Sequence, residues 1–240
     1  DFDKISGKYD LVFNMAAHIS PGYSIEEALP CLLVNALGTL NVLEFMVKRR
    51  MKRLIHSSSV TVYGRPRRLI SKETSPKTPI IVYGVSKLAA ESYCNMYSEL
   101  HNLDIIILRY ASVYGLGLNQ KTALPIFIEK AVKNEDIYLY GNGMRSQDYV
   151  YVDDVIQANL LAASKGINGV FNIGSGIQTT MNELAETIVD VLESKSRILF
   201  DRTKKQEFSF GIDIEKAKKI LGYNPRFNLR KGLEELKKTL

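Results

Sequence analysis

The sequence predicts an α/β chain: a doubly wound parallel sheet with helices on both faces, followed by a smaller α+β lobe. Three observations carry this. Apolar runs of buried-strand type occur at Asp10–Asn14, Arg53–Ser57 and Asp104–Arg109. Longer helical patterns separate them, and right-handed crossovers turn that order into a parallel sheet. After Gly115-Leu116-Gly117 the rhythm changes to shorter elements and glycine turns. Residues 1–115 are therefore assigned to the sheet domain and 116–240 mainly to the lobe, with about 149–173 expected to rejoin the sheet.

Each element has a local cause. Asp10–Asn14 precedes the small residues Ala16 and Ala17, which let a ligand approach the backbone of a tight loop. Ser24 to Arg50 is mostly helical in pattern, and Pro30 breaks or restarts the helix. Leu33, Leu37, Leu40, Leu43 and Val47 then recur at three- and four-residue spacing as an apolar stripe. Arg53–Ser57 is the next strand, closing on the hydroxyl cluster Ser57-Ser58-Ser59. Arg65 to Pro79, rich in Pro, Arg, Lys, Ser and Thr, reads as a surface loop. Tyr83 to Leu100 is helical by periodicity and leads into Asp104–Arg109.

In the lobe, Leu124 to Lys133 is a helix with Pro125 in its first turn. Ile137–Tyr140 is a short strand and Gly141-Asn142-Gly143 a turn. Asp148–Val152 alternates and meets Asp153-Asp154, a natural N-cap pair for a helix to Ser164. Gly169–Gly174 reads as strand and loop, Asn182–Ser194 as an amphipathic helix and Arg197–Phe200 as a strand. The tail reads as a helix from Ile214 to Leu221, a Gly-Tyr-Asn-Pro turn, and a final helix from Leu229.

The chemistry is expected at Tyr83-Gly84-Val85-Ser86-Lys87 with Ser57-Ser58-Ser59. A phenol and an ammonium four residues apart share one helix face. Tyrosine titrates near about 10. A neighbouring cation favours the phenolate and lowers that value. A tyrosine tuned this way can take a proton from a substrate hydroxyl and return it. A serine hydroxyl beside it can hold the same oxygen as its charge changes. Parallel sheets bind ligands at the C-terminal ends of their strands, and Ala16, Ser59 and Tyr110 fall at or just beyond such ends.

Composition narrows the alternatives. With 45% apolar and 24% charged residues over 240 positions, the chain can bury a sizeable core. It has no run of about 18 apolar residues and no signal-peptide pattern, so neither a membrane partner nor export is expected. Cys31 and Cys94 read as structural thiols of a reducing cytoplasm, and His18, His56 and His101 are too scattered for a metal site. The net charge is +6, with basic clusters at Lys48–Arg53 and Arg65–Arg68. They are read as solvated helix and loop ends, because no aromatics interleave with them as nucleic-acid binding would need.

Seven ordered motifs resemble the extended short-chain dehydrogenase/reductase family, in its nucleotide-sugar epimerase/dehydratase branch. They are Asn14-Met15-Ala16-Ala17-His18; Asn35 to Glu44; Ser57 to Gly64; Tyr83 to Lys87; Arg109 to Gly115; Tyr149 to Asp154; and Leu221 to Pro225. The resemblance implies a Rossmann-like sheet and a catalytic set of Ser59, Tyr83 and Lys87. It implies an NAD groove lined by Ala16, Ala17, Asn35, Ser57, Tyr83, Lys87 and Tyr110. Asn35 and Ser57 also admit plain structural readings, as a helix-satisfying amide and a strand-end hydrogen bonder. The substrate would be a nucleotide-diphosphate sugar, met by Ser59, Thr61, Ser112, Tyr140, Arg145, Gln147 and Lys204. The family's homodimers pair two helices per subunit in a four-helix bundle, here about 31–49 and 83–100; those stripes could equally be ordinary sheet-facing core.

Departures from the family pattern matter too. Its glycine-rich dinucleotide fingerprint and acidic ribose ligand are not in the sequence, because only 15 residues precede Ala16. The chain is therefore expected to be a fragment of a longer protein that binds NAD poorly by itself. Ser112 stands for the usual Asn, Gln147 for an Arg with Arg145 two residues away, and Lys204 and Lys205 lie near another family arginine. The dehydratase branch carries Thr-Asp-Glu where this chain has Ser59-Val60-Thr61, which disfavours dehydration. A UDP-hexose 4-epimerase-like reaction is expected. A related reductase or decarboxylase, or a non-catalytic nucleotide-sensing module, are the alternatives.

Overall fold

The computed structural model describes residues 2–20, 25–65, 69–118, 122–204 and 208–240. Ser24, Arg67, Arg68 and Lys205 lie outside the described residues. In chain order the elements are β1 (Leu11–Asn14), α1 (Ala28–Cys31), α2 (Gly38–Lys48), β2 (Arg53–Ser59), β3 (Ile70–Ser71), α3 (Val82–His101), β4 (Asp104–Tyr110) and β5 (Ser112–Tyr114). They continue as α4 (Ala123–Val132), β6 (Ile137–Tyr140), β7 (Ser146–Tyr151), α5 (Val152–Ser164), β8 (Gly169–Ile173), β9 (Gln178–Thr180), α6 (Met181–Val191), β10 (Ile198–Asp201), β11 (Gly211–Ile212) and α7 (Leu229–Lys237).

Four strands form a parallel sheet in the order β1-β2-β4-β8. Alternation along each strand sends side chains to two cores. Leu54, Ile105 and Ile107 pack with Leu43, Met46 and Cys94 from α2 and α3. Ile55, Ile106 and Leu108 pack on the other face with Ala158 of α5, Phe171 and Leu221. The register sets Ser59 opposite Tyr110, so both end at one sheet edge. A third core, including Leu124, Phe127, Leu139, Tyr149, Leu184 and Ile188, fills the lobe.

The predicted elements form, with instructive differences. The strand expected to rejoin the main sheet divides its work: β8 joins it beside β4, whereas β7 pairs with β5 and β9 in a separate sheet. The loop from Arg65 to Pro79 contains β3, which pairs in parallel with β11. Two residues are too few to leave a periodic signal in a Pro- and Arg-rich stretch. The Asp153-Asp154 N-cap is a misreading. The helix begins at Val152 after an extended Tyr151, with no side-chain cap. Asp154 is fully buried, and its carboxylate accepts from the Arg226 and Phe227 backbone N–H groups at 2.8 and 3.1 Å.

The helix after β1 runs without interruption past Pro30, through a π-helical segment Leu32–Leu37 into α2. By length and composition alone, Ile25–Lys48 could cross a membrane, with a mean hydropathy of 1.5. No run of about 18 apolar residues marks this helix in the sequence, because polar residues such as Asn35 and Thr39 are spaced along it. Asn35 and Thr39 are buried while Leu33 and Leu37 are exposed. The early half of the predicted stripe thus faces outward, and only its later half, led by Leu43, reaches the core. The basic residues after α2 work as anchors: Arg49 donates to Ile5 O, Lys52 to His101 O and Arg53 to Ala162 O.

Candidate functional site

The C-terminal edge of the main sheet opens on a cleft of about 1470 Å³ between the sheet domain and the lobe. It is lined by Ala17, Ser57, Ser59, Thr61, Tyr83, Lys87, Tyr110, Ser112, Tyr140, Arg145, Gln147 and Lys204. Every site residue expected from the sequence is therefore on its wall except Ala16 and Asn35. Ala16 is exposed on the neighbouring loop. Asn35, on the π-helical segment, accepts from His18 N at 2.8 Å and donates to His18 O and Ser86 Oγ, each at 2.9 Å. Its amide hydrogens are both spent on the protein, so it fixes the Ala16-Ala17-His18 loop against α3.

Ser59 ends β2 and caps the turn that follows. Thr61 donates to its Oγ twice, from N at 3.2 Å and from Oγ1 at 3.0 Å. A hydroxyl has two acceptor positions and one donor, so the Ser59 O–H is left to donate into the cleft, on the side where Tyr83 lies. Two glycines make this geometry possible. A Cβ on Gly84 would stand 2.6 Å from Thr61 O, so glycine lets the first turn of α3 approach the Ser59 turn. Gly64 has φ +65, and a Cβ there would meet Thr78 O at 1.7 Å.

Tyr83 and Lys87 lie one turn apart on α3, with the Lys87 Nζ 5.8 Å from the Tyr83 ring centre. Burial pushes the Tyr83 phenol well above its ordinary range; Cys31 adds to the push, and a hydrogen bond with Ser59 opposes it. The expected lowering by Lys87 does not emerge: burial is the largest influence on the phenol, and the opposing one comes from Ser59. Lys87 is itself buried, and desolvation lowers it to about 8, against the raising effect of Glu91, Cys94 and Cys31. Its Nζ donates to Ser57 O at 2.8 Å.

Ser57 Oγ meets Tyr110 OH at 3.1 Å, and Tyr110 OH donates to Asn159 Oδ1 at 3.0 Å. Because Tyr110 spends its hydrogen on Asn159, Ser57 must donate to Tyr110. Across the cleft, Lys204 Nζ lies 4.5 Å above the Tyr140 ring and donates to its hydroxyl at 3.2 Å. Arg145 donates to Gln147 Oε1 at 3.1 Å. Among the described residues, no cluster of three His, Cys, Asp or Glu is arranged to hold a metal.

A buried polar network behind the cleft was missed in the sequence. Glu91 is held by Arg109 at 2.9 and 2.6 Å and by Ser58 Oγ at 2.5 Å. Arg109 also donates to Tyr63 OH at 2.9 Å, and Tyr63 donates to Asn172 Oδ1 at 2.6 Å. One signal was available for Glu91: it extends Tyr83 and Lys87 by another four residues on the same helix face. Asn159 and Asn172 carry no such spacing.

The NAD dependent epimerase/dehydratase family model matches residues 2–174. A UDP-glucose 4-epimerase of Mycolicibacterium smegmatis is 29% identical over 94% of this chain and 74% of its own length. The structure of UDP-glucose 4-epimerase from Thermotoga maritima with UDP-glucose superposes with a TM-score of 0.88 at 33% identity, covering 95% of this chain and 76% of that one. UDP-glucuronic acid 4-epimerase from Bacillus cereus in complex with NAD gives 0.88 at 28% identity, covering 99% and 74%. With the parallel sheet, the ordered motifs and the Ser59–Tyr83–Lys87 arrangement already in place, these matches settle the lineage: the chain belongs to the NAD dependent epimerase/dehydratase family.

Proposed function

We propose that the cleft binds NAD and a UDP-hexose and inverts the sugar at C4. The observation that carries this is the convergence of Ser59, Tyr83 and Lys87 at the sheet edge of a cleft large enough for both molecules. The residues fit the nicotinamide-ribose end of the cofactor: of the three Lys87 N–H donors, Ser57 O takes one, which leaves two for hydroxyls. Ala17, Ser57 and Tyr110 supply the rest of that wall, with Ala16 and Asn35 shaping the loop behind it. When bound, NAD supplies the reversible oxidation of the sugar carbon. The Ser59 hydroxyl, oriented by Thr61, holds the sugar oxygen. Tyr83 would take that proton as a phenolate, the form a neighbouring Lys87 ammonium favours, and give it back as the phenol. Arg145, Gln147, Lys204, Tyr140 and Ser112 form the substrate wall, where cations meet the diphosphate.

Incubation of the full-length protein with NAD and a panel of UDP-sugars, followed by chromatography and mass spectrometry, tests the reading. Interconversion of UDP-glucose and UDP-galactose at constant mass is expected. A product lighter by one water or by carbon dioxide would replace epimerisation with dehydration or decarboxylation.

The same reading includes a homodimer. Leu29, Leu32, Leu33 and Leu37 on the first helix and Val85, Met96 and Leu100 on α3 are exposed large apolar side chains. They suit a four-helix bundle with a second copy. Sedimentation is expected to give a dimer that Leu33→Arg converts to monomer. A cytoplasmic setting rests on two buried, free cysteines.

A further inference from the structure

The buried carboxylate one turn beyond Lys87 has no part in the proton transfer described above, yet its contacts close a ring around that lysine. Lys87 Nζ donates to Ser57 O at 2.8 Å. The next residue, Ser58, donates from Oγ to Glu91 at 2.5 Å. Glu91 returns along α3 to Lys87, four residues away on the same face. Arg109 locks the ring from β4 with two hydrogen bonds to Glu91, and both partners are almost wholly buried.

We propose that Glu91 is a positioning residue for Lys87. It fixes the Ser57-Ser58 peptide whose carbonyl grips the ammonium, and it supplies the buried negative charge that keeps the ammonium charged. The assignment rests on the epimerase reading for the use made of Lys87. The groups that face Lys87 are few. Glu91 and Cys94 stand on α3, Cys31 on α1 and His56 on β2, the Arg109 guanidinium stands behind Glu91 on β4, and the Tyr83 ring lies one turn back. Cys94 and Cys31 are buried thiols whose ionisation burial opposes, and His56 is held neutral by burial. Glu91, ion-paired with Arg109, is thus the one carboxylate among them. Desolvation draws Lys87 down to about 8, and Glu91 is the largest influence in the opposite direction. Without it, the ammonium loses its proton at lower pH.

The test is the pH dependence of Glu91→Gln, which keeps a side-chain oxygen for Ser58 but removes the charge. In the full-length protein, turnover of UDP-glucose and binding of NAD, followed by tyrosine fluorescence, are each measured from pH 6 to pH 10. The alkaline limit of both is expected to move down by about one pH unit, with kcat falling more than KM rises. Leu54→Ala, which destabilises through packing alone, is expected to leave the limit unmoved. If Glu91→Gln does not fold, the double variant Glu91→Gln/Arg109→Gln removes both buried charges and is expected to shift the limit in the same direction. An alkaline limit equal to that of the unmodified protein in the variant that folds overturns the assignment. Absence of turnover in the unmodified protein counts against the epimerase reading instead, and the NAD-binding profile then decides the role of Glu91.

Discussion

On the wall of the cleft formed by β2 and α3, Ser59 and Lys87 are each held by hydrogen bonds within the protein. Thr61 spends two hydrogen bonds on orienting Ser59, and Ser57 O holds Lys87. Behind them Glu91, Arg109, Tyr63 and Asn172 form a continuous buried network. The outer part of the opposite wall is built otherwise, although Gln147 deeper in it is buried and accepts from Arg145. Tyr140 is exposed, and Lys204 reaches it across the surface from the turn after β10. The contrast separates two tasks. Proton transfer needs atoms held in place before substrate arrives. Recognition of a sugar and its phosphates can use side chains that adjust. Substitutions on the first wall should therefore damage rate or fold, and those on the second should change affinity.

The largest effect is expected at Tyr83. Tyr83→Phe removes the proposed proton carrier without changing the shape of the wall, and kcat should fall by about a thousandfold. NAD binding, measured by fluorescence titration, should stay within about threefold. A loss below tenfold would move the chemistry away from this wall altogether.

The network behind the wall should matter to stability. Arg109→Met strands the Glu91 carboxylate in a dry site, which costs about 3 to 5 kcal/mol. Urea denaturation should register that loss. Adding Glu91→Gln should recover most of it, because an apolar or neutral pair of similar volume tolerates burial. If the double variant were as unstable as the single, shape rather than charge would be what Arg109 supplies.

His56 offers a third, smaller test. It is almost fully buried on β2, Asn14 Nδ2 lies 3.2 Å from its Nδ1, and its pKa is lowered to about 3 by burial first and Lys87 second. A histidine with a depressed folded value binds protons in the unfolded chain first. The stability it contributes is complete above about 6.5 and is lost as pH falls toward about 3. The slope attributable to it should reach about 1.4 kcal/mol per pH unit in that window. His56→Phe should flatten the stability curve between pH 6 and pH 4, and an unchanged slope would assign the acid sensitivity to other groups.

The same contrast explains what could be read in advance. Tyr83 and Lys87 announce themselves because a four-residue spacing is a property of the helix and needs no knowledge of its neighbours. Ser59, Tyr110 and the strand ends follow from hydrophobic runs. Glu91, Arg109 and Asn172 resemble solvated residues in composition, and only tertiary packing turns them inward. Asn35 and Thr39 invert the usual rule, with polar atoms buried and Leu33 and Leu37 outside. Periodicity finds such a stripe but cannot say which side of the helix the protein covers. Asp154 misled for a related reason: it has the chemistry of a cap, but Arg226 and Phe227, far along the chain, claim its oxygens.

The smallest effect is expected on the recognition wall. Lys204 is an exposed cation on an exposed ring, and such contacts are worth about 0.5 to 1 kcal/mol. Lys204→Ala should raise KM for UDP-glucose by about twofold to fivefold and leave kcat unchanged. The increase should shrink with added salt, because a solvent-facing ammonium acting on a diphosphate is screened. Tyr140→Leu in the Lys204→Ala background should add little, since the ring's part is to seat the lysine. If Lys204→Ala instead lowered kcat as much as kcat/KM, the lysine would be acting only in the transition state. The division between a fixed reactive wall and an adjustable binding wall would then have to be redrawn to include the turn after β10.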